Sequence, residues 1–454
     1  MHSLCNGDDI VAIATPPGRG GVSIARLSGP NIPTFAQHFL GSIPTPRLAK
    51  LTEFKAGDGS IIDHGLALFF PFPNSYTGEH VLELHAHGSP IVMQMLVKRC
   101  LEYGMRLARP GEFSERAFLN GRLDLAQAEA VADLIASNTE SAAKSAFNSL
   151  KGEFSERIHQ LVGEVTELRI YVEAAIDFPD EEIDFLADGE VLTRLHHLRA
   201  TFRELKKTAR QGRLLRDGLK VVLTGLPNVG KSSLMNNLTN ENRAIVSAIP
   251  GTTRDVLEQT VQIDGLPIEL IDTAGVRNSA DEIELEGVKR ALEAQRNADL
   301  ILLVVDDARE DYGHHGKLEG IDELFSGLPL SIPVIVVRNK IDLNDKPAGR
   351  LGDDVCVSAL TGLGMDVLKE VILEKAGYRQ IEDSQFIARE RHMDAIRRGE
   401  EMLLRGITQL TEHQAGELLA EDLLECQRAL GEITGEVTSE DLLGLIFGSF
   451  CIGK

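Results

Sequence analysis

Two hydrophobic periods take turns along the chain and divide it. Near the start the apolar residues form short runs: IVAIAT (Ile10–Thr15) and VSIARLS (Val22–Ser28) flank a tight loop, Pro16–Gly21. LALFF (Leu66–Phe70) and HVLELHA (His80–Ala86) then bracket PFPNSYTGE. Short β-branched runs bounded by Pro and Gly predict strands, so residues 1–120 are expected to form an α+β domain. From Leu123 to Asp177 there is no proline, and apolar positions recur at three and four. That is the stripe of long amphipathic helices. Acidic FPDEEIDF (Phe178–Phe185) interrupts it, and a helical stretch rich in Leu, Arg and Lys follows from Glu190 to about Leu215. The segment 121–217 therefore reads as helical.

From 218 to 376 the period changes again. The runs VVLTG, PIELIDTAG, LILLVVDD, PVIVVRNK and DVCVSA alternate with helical pattern. Such alternation predicts a parallel sheet covered on both faces, with ligands beyond the carboxyl ends of its strands. Residues 377–454 return to helix, with Thr438 or Ser439 as cap of a last short one. Helical pattern on both sides of the α/β segment predicts one discontinuous bundle into which that segment is inserted.

Composition narrows the class. With 43% hydrophobic and 26% charged residues the chain is of globular type, and no apolar run is long enough to span a bilayer. No secretory signal is visible in MHSLCNGDDI, and the five scattered cysteines suit a reducing, cytoplasmic setting. The net charge of −22 points away from nonspecific adhesion to nucleic acid or acidic lipid. A local basic surface can nevertheless sit inside an acidic total. His85 and His87 alternate on one strand without a third ligand, so they are expected to be ordinary half-buried strand residues rather than a metal site. The glycines of Pro16–Gly21 are no dinucleotide fingerprint, since Ser23 stands where the third is needed.

The chemistry is concentrated in the α/β segment. Gly225, Gly230, Lys231 and Ser232 fill the spacing G-x-x-x-x-G-K-[ST] between a strand and a helix, the context a phosphate loop requires. Backbone N–H groups from Asn228 and Val229 to Ser233, with the helix dipole, cradle an anion. Lys231 reaches the β and γ phosphates, and the Ser232 hydroxyl ligates Mg²⁺. Asp272-Thr273-Ala274-Gly275 ends a strand: the carboxylate holds Mg²⁺ through water, and the Gly275 N–H meets the γ phosphate. Thr252 and Thr253, in Gly251–Asp255, can complete the metal shell, with Thr253 taken beside Ser232 as the Mg²⁺ ligand. Asn339-Lys340-Ile341-Asp342 selects guanine, because the Asp342 carboxylate accepts from N1–H and the exocyclic amine, a donor pair adenine lacks. Ser358-Ala359-Leu360 can offer an N–H to guanine O6. The order of these motifs is that of a GTPase. The residue after Gly275 is Val276, and an aliphatic side chain cannot position water. Asp281, Glu282, Glu284 and Glu286 follow, and the residues alone leave the choice among these acids open.

The chain resembles the TrmE (MnmE) tRNA-modification GTPases over its full length, through ATPPGRGG, NSYTGEHVLEL, ARPGEFSERAFLNGRLDLAQAEAVADLI, GLPNVGKSS, GTTRD, DTAG and the terminal FCIGK. The resemblance implies a multidomain fold: an α+β N-terminal folate-binding and dimerisation domain, a discontinuous all-α helical domain, and an inserted Ras-like α/β P-loop GTPase domain. It implies homodimers that work with a flavin-dependent GidA (MnmG) partner. Together they would build an aminomethyl or carboxymethylaminomethyl group at carbon 5 of the wobble uridine of certain tRNAs. The carbon would come from a tetrahydrofolate derivative, 5-formyl or 5,10-methylene. By position, Glu284 would polarise the attacking water, and Asn228, Ser247, Ile249 and Thr252 would hold K⁺ where another GTPase uses an arginine finger. Folate contacts would be Arg26, Glu83, Arg122 and Lys454. Arg122 stands where some relatives carry Lys, which keeps charge but not hydrogen-bond geometry. The tail Cys451–Lys454 would be tied to the modification reaction, with the chemistry of Cys451 unassigned.

Two other classes compete. One is a ribosome-assembly switch of the Era type, which would carry a basic RNA-binding module in place of the N-terminal segment and tail seen here. The other is a folate-binding scaffold with a vestigial nucleotide domain, against which the intact motifs from Lys231 to Asp342 count.

Overall fold

The computed structural model describes residues 7–177, 189–241, 258–272, 296–308, 332–344, 346–379, 386–437 and 440–453. By its own contacts the chain divides into two compact units. One comprises Met1–Ala132, Leu150–Leu195 and Glu401–Lys454; the other comprises Asp133–Ser149 and His196–Glu400.

The first unit opens with β1 (Ile10–Ile13), β2 (Gly20–Gly29), β3 (Lys50–Lys55), β4 (Ile61–Phe70), β5 (His80–Gly88) and β6 (Arg106–Leu107). They form a six-stranded sheet in the order β3-β4-β5-β2-β1-β6, antiparallel except for the β1–β6 pair. Alternation then sorts the side chains. Ala25, Leu27, Leu82, Leu84, Ala67 and Phe69 pack with the helices Ile32–Leu40 and Pro90–Glu102 in one core. Arg26 and Glu83, opposite one another in the β2–β5 register, lie on the other face. The expectation for the two histidines needs correcting. His85 is partly buried, but His87 is exposed, its Nδ1 2.9 Å from Asp63 Oδ1. The strand runs past the packed part of the sheet there, so alternation no longer implies burial.

The same unit holds a helical pair from opposite ends of the sequence. Glu153–Asp177 buries Ile158, Leu161, Val165 and Leu168, and it packs along Gly416–Thr434, which buries Leu419, Leu423, Leu430 and Ile433. The all-α part is therefore discontinuous, as its patterning predicts. Beside it, Ile446, Phe447 and Phe450 close on Leu125 and Ala128.

The second unit is built on β7 (Leu219–Thr224), β8 (Glu258–Ile263), β9 (Leu266–Asp272), β10 (Leu300–Asp306), β11 (Val334–Asn339), β12 (Gly349–Leu351) and β13 (Asp354–Cys356). Their order is β12-β13-β11-β10-β7-β9-β8, with five parallel strands inside two antiparallel edges. Val221 and Leu223 face one core with Leu234, Leu368 and Ile372, while Val222, Ile271 and Ile301 face another. Both faces are apolar, which is why β10 reads as the unbroken run LILLVV. Among the described residues no helix is long and apolar enough to cross a membrane.

Candidate functional site

Strand β7 gives way at Gly225 to a loop that ends in the helix Lys231–Glu241. Two glycines are forced there. A Cβ on Gly225 (φ 149°) would stand 2.2 Å from the Val304 carbonyl oxygen, and one on Gly230 (φ 98°) 2.2 Å from Asn339 Nδ2. Asn228 also takes positive φ, 65°, a conformation that asparagine tolerates better than most residues. The curl turns the chain back on itself, so Lys231 Nζ donates to the Gly225 and Leu226 carbonyls, 2.9 Å each. Ser232 and Ser233 are exposed at the helix start, and the adjacent β9 ends in buried Asp272, opposite Leu223.

The guanine motif braces this loop from the side. Buried Asn339 donates from Nδ2 to the Val229 carbonyl, 2.9 Å, and accepts from the Ala359 N–H at Oδ1, 2.9 Å. Lys340 (φ 69°) sends Nζ to the Asn228 carbonyl, 2.8 Å, and to Asp306 Oδ2, 2.7 Å. Asn339 and Lys340 are thus tied to the phosphate loop and to its neighbouring strand ends. Asp342 differs: its Oδ1 is buried and has no hydrogen-bond partner among the described residues. Leaving a buried carboxylate oxygen unpaired is costly, and donors on a guanine edge would relieve that cost. The N–H of Ser358 goes to the Leu363 carbonyl and that of Ala359 to Asn339, so of the three predicted donors only Leu360 keeps its N–H outside bonds to the described residues.

Thr252, Thr253, Ser247, Ile249, Thr273, Ala274, Gly275 and Glu284 lie outside the described residues, as does Lys454. Among the described residues no group of three or more His, Cys, Asp or Glu is set to hold a metal ion. A cation here would rely on hydroxyl, carboxylate, carbonyl and phosphate oxygens, and the exposed Ser232 hydroxyl and the Asp272 carboxylate are of that donor type.

A second site lies on the β2–β5 face of the first unit. Arg26 Nε donates to Glu83 Oε1 at 2.9 Å, and His85 Nε2 is 3.3 Å from Glu83 Oε2. The Arg26 guanidinium lies over the rings of Tyr76 (5.7 Å) and Phe113 (5.9 Å), and its Nη1 reaches the Gly453 carbonyl at 3.4 Å. The tail is seated by an antiparallel bridge between Ile452 and Pro110. Arg26, Glu83 and the tail before Lys454 are therefore brought together. Arg122 is not: exposed beside Gly78, its guanidinium makes no ion pair with the described residues, and it rims a cavity of about 370 Å³ with Phe118, His159 and Thr434. Cys451 is exposed, and its carbonyl accepts from the Gly111 N–H.

Sequence reasoning assigned no role to the groups beneath Arg26. Buried Arg116 donates to Asp8, Glu79 and Glu112, and Arg106 donates to Asp8 and Glu112. Burial raises the Glu112 carboxyl, but the Arg106 bonds, the Arg109 N–H and Arg116 outweigh it and hold it at about 2. Ser114, on the same helix, meets the Tyr76 hydroxyl at 2.8 Å. This network locks the loop Asn74–Glu79 to the helix Glu112–Leu119. Its signal was the spacing of Arg109, Glu112, Glu115 and Arg116 at three and four in RPGEFSER.

A family model described as the MnmE helical domain matches residues 125–451, and one described as the GTP-binding protein TrmE N-terminus matches residues 9–122. The tRNA modification GTPase MnmE of Proteus mirabilis (strain HI4320) is 51% identical over 459 residues, covering 100% of both chains. That of Stutzerimonas stutzeri (strain A1501) is 53% identical over 452 residues, covering 98% of this chain and 99% of its own. Among solved structures, the G domain of the T. maritima FeoB iron transporter is 30% identical, covering 35% of this chain and 98% of that one at TM-score 0.26. A likeness that loose carries no weight beside the full-length relatives.

Proposed function

The chain belongs to the MnmE family of tRNA modification GTPases, and from that premise we propose that it spends GTP hydrolysis on installing a one-carbon-derived group at C5 of a tRNA wobble uridine. The flavin-dependent GidA (MnmG) protein is its partner, and the group is aminomethyl or carboxymethylaminomethyl. The observation that carries the nucleotide half is the unpartnered Asp342 oxygen next to a loop already braced by Asn339 and Lys340. A site whose scaffold is satisfied and whose specificity residue is not is built for a guanine edge.

In the proposed cycle the loop N–H groups from Asn228 to Ser233 bind the β phosphate, and Lys231 exchanges the Gly225 and Leu226 carbonyls for phosphate oxygens. Ser232 and Asp272 would hold Mg²⁺, with Thr253 beside them. Asn228 would share K⁺ with Ser247, Ile249 and Thr252. When bound, these cations supply positive charge to the phosphate oxygens in the transition state. Glu284 positions a water, whose oxygen bonds to the γ phosphorus as the bridging P–O bond breaks and its proton leaves toward the carboxylate. GDP and phosphate result. Glu284→Ala is expected to retain GTP affinity while turnover collapses. Exchanging K⁺ for Na⁺ should slow hydrolysis, and an equal rate in the two salts removes the potassium role.

Arg26, Glu83 and Lys454 would receive a tetrahydrofolate derivative, which when bound supplies the carbon. The Glu83 carboxylate, already fixed by Arg26 and His85, has lone pairs left for pterin donors, and the Tyr76–Phe113 rings keep the guanidinium level. Arg122 is a less direct member of that set. Homodimers would form through the N-terminal sheet, where Leu51 and Leu66, paired across β3 and β4, are exposed. Mass spectrometry of wobble uridines in tRNA from cells lacking the gene decides the reading. Loss of the modified nucleosides is expected, and an unchanged profile favours a ribosome-assembly role.

A further inference from the structure

The helix Glu190–Asp217 is charged in a way the rest of the chain is not. Between His196 and Arg216 it carries seven Lys or Arg residues and one acid, Glu204, in a protein of net charge −22. Its buried side holds Leu198, Phe202, Leu205 and Ala209. Three of the cations are used inside the fold: Lys206 pairs with Glu400, Arg213 with Glu390, and Arg216 with Asp133. The other four, Arg199, Arg203, Lys207 and Arg210, follow one another at four, four and three, which puts them on a single stripe away from the packed side. Arg199 is partly exposed and the other three are exposed, and none makes an ion pair or hydrogen bond with the described residues. Exposed His196 extends the row by one turn. At 1.5 Å rise per residue the four cations cover about 16 Å, with neighbours roughly 5–6 Å apart.

An ordinary solvated helix face mixes signs at three and four; here one exposed acid, Glu204, comes within that spacing of one of the four cations, Lys207, and makes no ion pair with it among the described residues. Four like charges in a row repel one another. An anionic partner removes that cost. No large apolar side chain between Glu190 and Asp217 is exposed, so the helix lacks what an interfacial membrane helix would bury. A line of cations without apolar or aromatic contacts suits a phosphodiester backbone, which is bound through charge and counterion release irrespective of base sequence.

We propose that the Arg199–Arg203–Lys207–Arg210 stripe is a docking surface for the RNA substrate, holding the tRNA backbone by phosphate contacts. The inference rests on the tRNA reading above and adds where that RNA lies. It also reconciles an RNA substrate with an acidic protein: the binding charge is confined to one helix face.

The test uses the full chain and labelled tRNA, titrated between low and physiological salt. With Arg203→Gln and Lys207→Gln together, affinity at low salt should fall about tenfold or more, and the slope of log K against log salt should shrink by about 1–2. Arg203→Lys with Lys207→Arg should bind as the parent does, and GTP turnover without tRNA should be the same in all three proteins. Parent and neutralised proteins with equal affinity and slope overturn the inference while leaving the modification reading intact. So does a neutralised protein that loses binding only to phosphatidylserine vesicles or to polyglutamate. A parent that binds no tRNA at all overturns it too. The modification reading is judged separately by the nucleoside analysis, which does not depend on this helix.

Discussion

Asp342 shows how much one atom can specify. Its buried Oδ1 lacks a donor among the described residues, whereas its neighbours Asn339 and Lys340 are committed to the phosphate loop. Asp342→Asn should therefore leave the fold untouched and change the base. Guanine affinity should fall by roughly 10–150-fold, the range of a charged hydrogen bond, and xanthosine triphosphate, which offers a carbonyl where guanine has an amine, should gain. Nucleotide titration calorimetry measures both. Glycine 230 acts differently. A Cβ there meets Asn339 Nδ2 at 2.2 Å, so Gly230→Ala should loosen the brace and weaken all nucleotides together. Glu112 sets an acid limit. Held at about 2 when folded against an ordinary 4.5, it contributes stability that is complete above about pH 4.5 and is lost as the pH falls toward 2, roughly 2–3 kcal/mol. Melting curves from pH 7 down to 3 should show that loss, and Glu112→Gln should flatten the dependence from an already lowered start. At this scale the phosphate loop was legible because its parts are adjacent in sequence. The Arg116 network was legible only in part: Arg109, Glu112, Glu115 and Arg116 stand at three and four in RPGEFSER, but the partner Asp8 lies 108 positions away and nothing local announces that pairing.

Among elements, legibility followed burial. The interior strands β7, β10 and β11 are apolar because both sides of the sheet are covered, so their runs stand out. The edges are mute: β3 reads KLTEFK with only Phe54 buried, and β12 is three residues long. An edge strand needs no continuous apolar side, and pattern reading passes over it. The two packed helices Glu153–Asp177 and Gly416–Thr434 were each evident from period, but their partnership followed only from noticing helix on both sides of the nucleotide sheet. Leu161 and Leu423 are both fully buried there. Leu161→Ala and Leu423→Ala should each cost about 2–5 kcal/mol, and both should lower the same unfolding transition in a denaturant melt. Two separate transitions would mean the segments fold apart.

For the molecule as a whole, averages mislead. A charge of −22 pointed away from nucleic acid, yet the cations on the Glu190–Asp217 helix that pair with none of the described residues line up on one side. The membership that fixes the activity came from features spread over the entire length, not from the nucleotide motifs, which many unrelated switches share. The seating of the tail has a consequence for how the protein is made. Arg26 bonds to the carbonyl of a residue 427 positions later, and that residue presses on β1, its absent Cβ only 2.5 Å from the Ile13 carbonyl oxygen. During translation the first strands emerge at the outset, but the arginine must wait roughly 20–85 s for its last neighbour to leave the ribosome. A nascent chain stalled just before residue 450 would carry a finished sheet whose Arg26–Glu83 face still lacks its last neighbour, so a chain cut there should form the sheet and leave that face open.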